Sequence, residues 1–215
     1  MTLEEVLAAI GSQLANQALT HPSVEAEHSY QRLEFLGDAV LGAIVSHWLY
    51  LHCPAYSEGR MSWLKSWMVS EAALADVAGK LGLSDHIRLG QGAKAAGDCQ
   101  RPSILSDVTE ALIGALFLVG GWAKASAAVH AWFAPYLARV KKGELPRDSK
   151  STLQELLQQQ DKSFEYFLKD QQGPDHEKVF WVELRIQGKP VAVGCGSSKK
   201  EAEQKAAQQA LDNGI

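Results

Sequence analysis

The spacing of apolar residues divides the chain into a helical part and a mixed part. In the first part, apolar residues recur every three or four positions, which is the period of a helix buried along one face. Glycine and proline separate these stretches, so we predict helices over residues 3–10, 30–51, 58–81, 102–119 and 123–141. No segment before residue 160 has a convincing strand pattern. We therefore predict that the first part is all-α.

The pattern changes in the second part. Leucines at positions 153, 156 and 157 mark a short helix, and Ser198–Leu211 is an alanine-rich helix. Between them, runs rich in aromatic and β-branched residues predict three strands, at Phe164–Leu168, Val179–Ile186 and Val191–Gly194. The order α-β-β-β-α predicts a small α+β domain.

A short polar segment separates the two patterns. Arg139–Lys150 contains glycine, proline and five basic residues against two acidic ones, which is typical of a connection rather than of a helix or a strand. We predict a first domain over residues 1–142, a linker over residues 143–148 and a second domain over residues 149–215.

Composition narrows the class of protein. The chain is 46% apolar and 21% charged, as soluble globular proteins are. The long apolar run at Leu33–Leu51 carries Glu34 and Asp38, which argues against a membrane span. The acidic N-terminus lacks the basic region of a signal peptide, and three distant cysteines suggest neither disulfides nor a zinc site. We expect a cytoplasmic protein without a membrane partner.

Net charge does not by itself indicate a nucleic-acid-binding protein. The formal charge is −4 for the whole chain. Residues 1–146 carry 11 Lys+Arg and 14 Asp+Glu (11 − 14 = −3), and the remainder carries 10 and 11 (10 − 11 = −1). Because neither part is basic, any affinity for nucleic acid must come from local patches.

Two carboxylate pairs interrupt otherwise apolar helices. Glu34 and Asp38 are four residues apart, and Asp107 and Glu110 are three apart, so each pair lies on one helical face. One pair alone is ordinarily a solvated helix edge. Two pairs, each with a glycine nearby at Gly37 or Gly114, are less easily explained in that way. Glycine costs a helix roughly 1 kcal/mol relative to alanine, and it is tolerated where two backbones approach closely.

If the two helices face each other, the carboxylates need a cation. Like charges about 4 Å apart repel by roughly 4 kcal/mol at an effective dielectric constant of 20. No lysine or arginine lies in Leu33–Leu51 to neutralise them. Oxygen ligands suit a hard ion such as Mg²⁺ or Mn²⁺. A di-iron site would require Glu-x-x-His motifs, but Ile113 follows Glu110 by three residues.

The second domain carries features that suit a duplex. Ser198 and Glu201 predict a capping box at the last helix, and Lys199 and Lys200 follow in its first turn. Lysines there oppose the helix dipole, so they indicate either a phosphate site or a tolerated charged turn. Two glutamines and a turn add possible contacts to an A-form duplex recognised by its shape, namely Gln154, Gln158 and the GPDH turn that ends at His176.

These motifs together resemble a known family. The run RLEFLGDAVLG (Arg32–Gly42) is similar to the ribonuclease III signature, and ALTHPS (Ala18–Ser23) and SILSDVTEALIGALFLVGG (Ser103–Gly121) are similar to further segments of that family in the expected order. The second part, with GPDH and SKKEAEQ, resembles the double-stranded-RNA-binding domain. The resemblance covers nearly the whole chain.

The resemblance implies residue roles. It implies that the catalytic residues, which bind Mg²⁺ with Mn²⁺ as a possible substitute, are Glu34, Asp38, Asp107 and Glu110. It implies a homodimer in which Phe35 enters a socket on the partner, and RNA-positioning residues at Glu58 and Gln31. Many members have a carboxylate where this chain has Gln31, and we expect activity to survive that change.

The resemblance also implies a reaction. We expect hydrolysis of double-stranded RNA to 5′-phosphate and 3′-hydroxyl ends with short 3′ overhangs, in the processing of ribosomal RNA precursors and other structured RNAs. Two alternatives remain open: a non-catalytic double-stranded-RNA-binding protein, and a helical metal-carboxylate redox enzyme. The intact four carboxylates argue against the first, and the RNA-binding pattern and missing histidines argue against the second.

Overall fold

Residues 1–144, 149–173 and 178–215 are described by the computed structural model, in which the chain folds into two units, Met1–Glu144 and Leu145–Ile215. The division falls within the predicted linker, residues 143–148, of which 145–148 lie outside the described residues. The all-α first domain and the α-β-β-β-α second domain are confirmed.

Seven α-helices build the first unit in its described residues. They are α1 (Leu3–Ala18), α2 (Gln31–His52), α3 (Glu58–Met68), α4 (Glu71–Leu81), α5 (Gln91–Ala95), α6 (Pro102–Trp132) and α7 (Ala134–Lys142). Two 3₁₀ turns, Leu83–Asp85 and Asp98–Gln100, lie between them. Thr20 and Arg88 form an isolated parallel bridge, which ties the end of α1 to the segment before α5.

Capping residues and prolines determine where the helices begin and end more precisely than the spacing of apolar residues does. The predicted helix 58–81 is two helices, because the Ser70 side chain accepts a hydrogen bond from Ala73 N and so caps α4. The predicted helix 123–141 is interrupted at Phe133, and Pro135 lies in the first turn of α7, where its missing N–H costs least. The first helix instead continues past residue 10, with a kink at Gly11.

Helix α6 forms the centre of the first unit and packs against α1, α2 and α4. Its fully buried side chains include Leu112, Ile113 and Leu116, and Leu41 and Ile44 of α2 are buried beside them. The helix is long and apolar enough to cross a membrane by length and composition alone. Most of that apolar stretch is buried by the surrounding helices, so the same composition is accounted for by a core helix.

The second unit is a three-stranded antiparallel sheet covered by two helices. The elements are α8 (Ser149–Gln159), β1 (Phe164–Gln172), β2 (Val179–Ile186), β3 (Lys189–Gly196) and α9 (Lys199–Asp212), and the strand order is β1-β2-β3. Leu153 and Leu157 of α8 are fully buried with Leu184 of the sheet and Ala206 of α9. A Cβ at Gly194 would lie 2.1 Å from Ala202 O, so β3 and α9 pack backbone against backbone.

Candidate active site

The two acidic helices, α2 and α6, are in direct backbone contact. A Cβ added at Gly37 would lie 1.8 Å from Glu110 O, and one added at Gly114 would lie 2.3 Å from Leu33 O. Neither distance leaves room for a side chain, which confirms close approach as the reason for glycine at both positions. The contact brings the Glu34–Asp38 pair beside the Asp107–Glu110 pair.

The four carboxylates share one electrostatic environment. Asp38 is exposed and the other three are half-buried. Burial, followed by the charges of Asp38, Glu34 and Asp107, raises the pKa of Glu110 to about 8. Burial and the charges of Asp107 and Asp38 likewise raise the pKa of Glu34. The structure therefore brings together all four acidic residues that the sequence singled out.

Asp107 has additional neighbours that the sequence analysis did not identify. Burial raises the pKa of Asp107, and the charge of Glu71 acts in the same direction. A hydrogen bond from Tyr30 Oη to Asp107 Oδ2, at 3.1 Å, and the nearby His21 oppose that rise. The carboxylate of Asp107 is thus the one of the four that receives a side-chain hydrogen bond from the described residues.

Tyr30 is itself held firmly. Its backbone N–H donates to Thr20 O at 2.9 Å, and the His21 ring meets its ring edge-on with centroids 5.7 Å apart. Burial and the charges of Asp107 and Glu34 raise the pKa of its hydroxyl, which therefore stays protonated. A single aromatic residue in the polar HSYQ segment, directly before the acidic helix, was the signal available in the sequence.

The four carboxylates fit a hard divalent cation by their chemistry and charge. All four offer only oxygen donors, and no lysine or arginine forms an ion pair with any of them in the described part of the chain. Within the described ranges, no three His, Cys, Asp or Glu side chains form a ready-made ligand group. Binding an ion would therefore require their carboxylates to turn toward a common point.

Phe35 lies on the outer face of α2. It is 82% exposed and lines an open hollow together with Gln31, Arg32 and Leu118. Leu118 of α6 is also exposed, so the two helices present apolar side chains side by side. Such an exposed aromatic residue is typical of an interaction surface.

Gln31 and Glu58 are the two predicted RNA-positioning residues of the first unit. Gln31 lies beside Phe35 at the hollow. Glu58 is the first residue of α3 and accepts a hydrogen bond from Ser62 Oγ at 2.6 Å. Among the described residues, neither Gln31 nor Glu58 forms a side-chain hydrogen bond with the four carboxylates.

The predicted RNA contacts of the second unit are on its surface. Gln154 and Gln158 are exposed on α8, on the side away from the buried leucines, and Lys199 and Lys200 are exposed in the first turn of α9. His176 lies outside the described residues, as do the other residues of the turn after Gly173.

The predicted capping box of α9 is only half right. Ser198 Oγ accepts from Glu201 N at 3.2 Å, as predicted. The Glu201 carboxylate accepts from Ser197 N at 2.8 Å and from Ser197 Oγ, and not from the N-cap residue itself. Hydrogen bonds from Lys205 and Ser197 lower the pKa of Glu201 to about 2.

Comparisons with known proteins agree with this geometry. The family described as Ribonuclease-III-like matches residues 11–137, and the double-stranded RNA binding motif matches residues 149–213. The ribonuclease 3 of Thermobifida fusca is 42% identical over 211 residues, which cover 96% of this chain and 88% of that protein. The ribonuclease 3 of Pelotomaculum thermopropionicum is 43% identical over 205 residues, covering 92% and 85%.

Solved structures give the same result for the first unit. The nuclease domain of ribonuclease III from Campylobacter jejuni superposes with a TM-score of 0.58 and 33% identity, and the match covers 63% of this chain and 98% of that domain. With both domains matched and the relatives aligned over most of their length, the chain belongs to the ribonuclease III family and is an endoribonuclease with a double-stranded-RNA-binding domain.

Proposed function

We propose that this endonuclease hydrolyses double-stranded RNA with Mg²⁺ held by Glu34, Asp38, Asp107 and Glu110, and that Mn²⁺ can substitute. The observation that carries the proposal is the backbone contact between α2 and α6, which brings four carboxylates together, so that burial and the charges of its three neighbours raise the pKa of Glu110 to about 8. Carboxylates that repel one another without a basic partner are stable in their charged form once a divalent cation lies among them.

The residues have distinct parts in the reaction. Glu34, Asp38, Asp107 and Glu110 would hold the divalent cation, which when bound would lower the pKa of a water molecule and stabilise negative charge on a phosphodiester. Asp107 and Glu110 are half-buried on α6, beside the backbone contact between α2 and α6. Asp38 is the exposed member, so solvent and a substrate phosphate reach it first. We propose products with 5′-phosphate and 3′-hydroxyl ends.

The second domain supplies affinity for the duplex. Lys199 and Lys200 stand at the N-terminus of α9, and the N-terminus of a helix favours phosphate through its dipole. Gln154 and Gln158 present amide groups at the spacing of one helical turn, which suits a minor groove. His176 of the GPDH turn, with Gln31 and Glu58 of the first domain, completes the proposed RNA contacts.

A homodimer would place one set of carboxylates on each strand of a duplex. The exposed Phe35 and Leu118 support a dimer surface along α2 and α6, because isolated protomers seldom expose neighbouring large apolar side chains. The Campylobacter jejuni structure is described in terms of a region involved in dimer formation of that protein's nuclease domain. Two symmetry-related sites of opposite polarity would leave short 3′ overhangs.

The cellular role follows from the substrate. We propose that the protein acts in the cytoplasm, without a membrane partner, on ribosomal RNA precursors and other structured RNAs. Such transcripts contain the double-helical segments that the second domain is built to bind.

The decisive experiment is cleavage of a long, strand-labelled RNA duplex with Mg²⁺, with Mn²⁺ and with EDTA. We expect short duplex products with either metal and intact RNA with EDTA, and a 5′-phosphate on each product in end-group analysis. Products with cyclic phosphates, or cleavage that EDTA leaves unchanged, would contradict the proposal. Binding of the duplex without any cleavage would favour a non-catalytic RNA-binding protein.

A further inference from the structure

We infer that Tyr30 is a positioning residue that fixes the orientation of the Asp107 carboxylate for cation binding. This inference rests on the proposed metal site and concerns a residue outside the four carboxylates. It is carried by the contacts that Tyr30 makes with both acidic helices.

The side chain of Tyr30 reaches across the fold to α6. Its hydroxyl donates to Asp107 Oδ2 at 3.1 Å, although the two residues are 77 positions apart. Tyr30 is 3% exposed, so its ring is enclosed by protein. The hydroxyl therefore points at Asp107 because the surrounding packing directs it there.

The backbone of Tyr30 starts the other acidic helix. Its carbonyl accepts hydrogen bonds from Leu33 N and Glu34 N, both at 2.9 Å. Its N–H donates to Thr20 O at 2.9 Å, and the edge-on ring of His21 supports its ring. One residue thus connects the first turn of α2, which carries Glu34, to the carboxylate of Asp107 on α6.

A hydrogen bond on one oxygen has a specific effect on a carboxylate ligand. The terminal torsion of aspartate is broad, so an unsupported carboxylate rotates readily. A donor on Oδ2 fixes the plane of the group and leaves Oδ1 available to a cation. Hydrogen bonds of this kind to metal ligands raise metal affinity or activity by about 10–100-fold.

A tyrosine suits this position better than a basic side chain would. The phenol is neutral, so it orients Asp107 without adding positive charge beside Glu34 and Glu110. A lysine or arginine there would pair with the carboxylates and compete with the cation. In the described part of the chain, the four carboxylates form no ion pairs. This agrees with a neutral donor that orients Asp107 and leaves the positive charge to the cation.

The test measures metal binding directly, with the full chain and without RNA. Free Mn²⁺ is followed by its electron paramagnetic resonance signal during titration of the wild type and Tyr30→Phe. Tyr30→Phe keeps the ring and removes the hydroxyl, and we expect roughly tenfold weaker Mn²⁺ binding. In cleavage assays, the half-saturating Mg²⁺ concentration should rise by a similar factor while kcat at saturating Mg²⁺ stays near wild type.

Two reference variants make the outcomes distinct. Tyr136→Phe removes a tyrosine hydroxyl that donates to Asp76 Oδ2 at 2.9 Å, outside the carboxylate group, and it should bind Mn²⁺ as the wild type does. Glu110→Gln removes a proposed ligand and should weaken binding more than Tyr30→Phe. Unchanged binding by Glu110→Gln would overturn the metal site itself, whereas unchanged binding by Tyr30→Phe alone would overturn the role of Tyr30.

A second variant covers the case in which Tyr30→Phe does not fold. His21→Ala keeps the hydroxyl but removes the ring that supports it, so we expect a loss of Mn²⁺ affinity of about two- to threefold, below the range for removing the hydrogen bond itself. Thermal unfolding and binding of duplex RNA report whether each variant is intact. Folded His21→Ala protein with wild-type Mn²⁺ affinity and Mg²⁺ dependence would also count against the inference.

Discussion

Glutamates in the two domains of this ribonuclease III lie in opposite electrostatic environments. In the nuclease domain, burial and three other carboxylates raise the pKa of Glu110 to about 8. In the RNA-binding domain, Lys205 and Ser197 lower the pKa of Glu201 to about 2. Both residues lie on helices, so the backbone does not explain the difference. The charged Glu201 carboxylate stabilises its own helix through these contacts. The Glu110 carboxylate has no such contact with a cationic side chain in the described part of the chain, so it is available to a ligand.

The neighbouring contacts extend the contrast. Lys205 Nζ lies 2.8 Å from Glu201 Oε1, and Lys150 and Glu203 form a second ion pair that joins α8 to α9. Around Glu110 there is instead a neutral donor, Tyr30, on one neighbouring carboxylate. Glu201 and Glu203 of α9 are thus paired with lysines of the same domain, whereas the four carboxylates on α2 and α6 have no such ion pair in the described part of the chain.

The largest expected effect comes from exchanging each glutamate for glutamine. Glu110→Gln should lower the rate of duplex cleavage by more than about 100-fold, the lower end of what a directly acting group contributes, with RNA binding unchanged. Glu201→Gln should leave the cleavage rate of bound RNA near wild type. Single-turnover cleavage with saturating enzyme measures both. Equal losses in the two variants would break the distinction between the domains.

A smaller effect is expected from the lysines at the start of α9. Lys199→Gln together with Lys200→Gln should weaken binding to duplexes of different sequence alike, because phosphate contacts carry no base information. The slope of log affinity against log salt should flatten by up to about two units. Lys169→Gln is the matched control, since Lys169 lies on the sheet, 3.5 Å from Glu183. Fluorescence anisotropy at several salt concentrations gives both quantities, and an unchanged slope would remove these lysines from the interface.

The smallest effect is a pair of opposite pH dependences in metal-free protein. Because the folded pKa of Glu110 is about 8, the folded chain keeps a proton that the unfolded chain releases near pH 4.3, so stability falls as pH rises through that window. Because the folded pKa of Glu201 is about 2, its contribution is present above pH 4.3 or so and is lost as pH falls toward 2.

Thermal unfolding in EDTA measures these slopes. Between pH 5 and pH 8, Glu110→Gln should gain about 2–4 °C relative to wild type, corresponding to ~1 kcal/mol, and Mg²⁺ should cancel the difference. Glu201→Gln should be less stable than wild type at pH 7, with the difference shrinking toward pH 3. A gain for both variants at high pH would mean that the two carboxylates are not in opposite environments.

Much of the candidate site was predictable because its signals are local. The four carboxylates stand out against apolar helices, and Gly37 and Gly114 mark the close approach of those helices. The α-β-β-β-α order followed from a change of apolar period. These features depend on neighbours within one or two helical turns, where sequence spacing and position in space correspond.

Other features depended on contacts that spacing does not reveal. The partner of Tyr30 is 77 residues away, so nothing in its own segment points to Asp107. The Ser70 cap and the end of α6 at Phe133 divide helices inside runs that the apolar period predicted as single helices, whereas the break at Gly121 fell between two predicted helices. In the folded domain, the Glu201 carboxylate accepts hydrogen bonds from the hydroxyl and the backbone N–H of Ser197. The predicted hydrogen bond from the backbone N–H of Ser198 is replaced by these two.

The close approach of Gly37 to Glu110 also links the order of folding to the appearance of nuclease activity. The two residues are 73 positions apart (110 − 37 = 73), and their contact closes a long loop that includes α3, α4 and α5. Closing a loop of this length lowers the conformational entropy of the chain, and the formation of the individual helices does not offset that loss. A nascent chain that has not yet released α6 from the ribosome carries Glu34 and Asp38 on a helix with no counterpart. If the proposed carboxylate site is the active one, such a chain would carry only half of its ligands, and cleavage of RNA would require that α2 and α6 have docked.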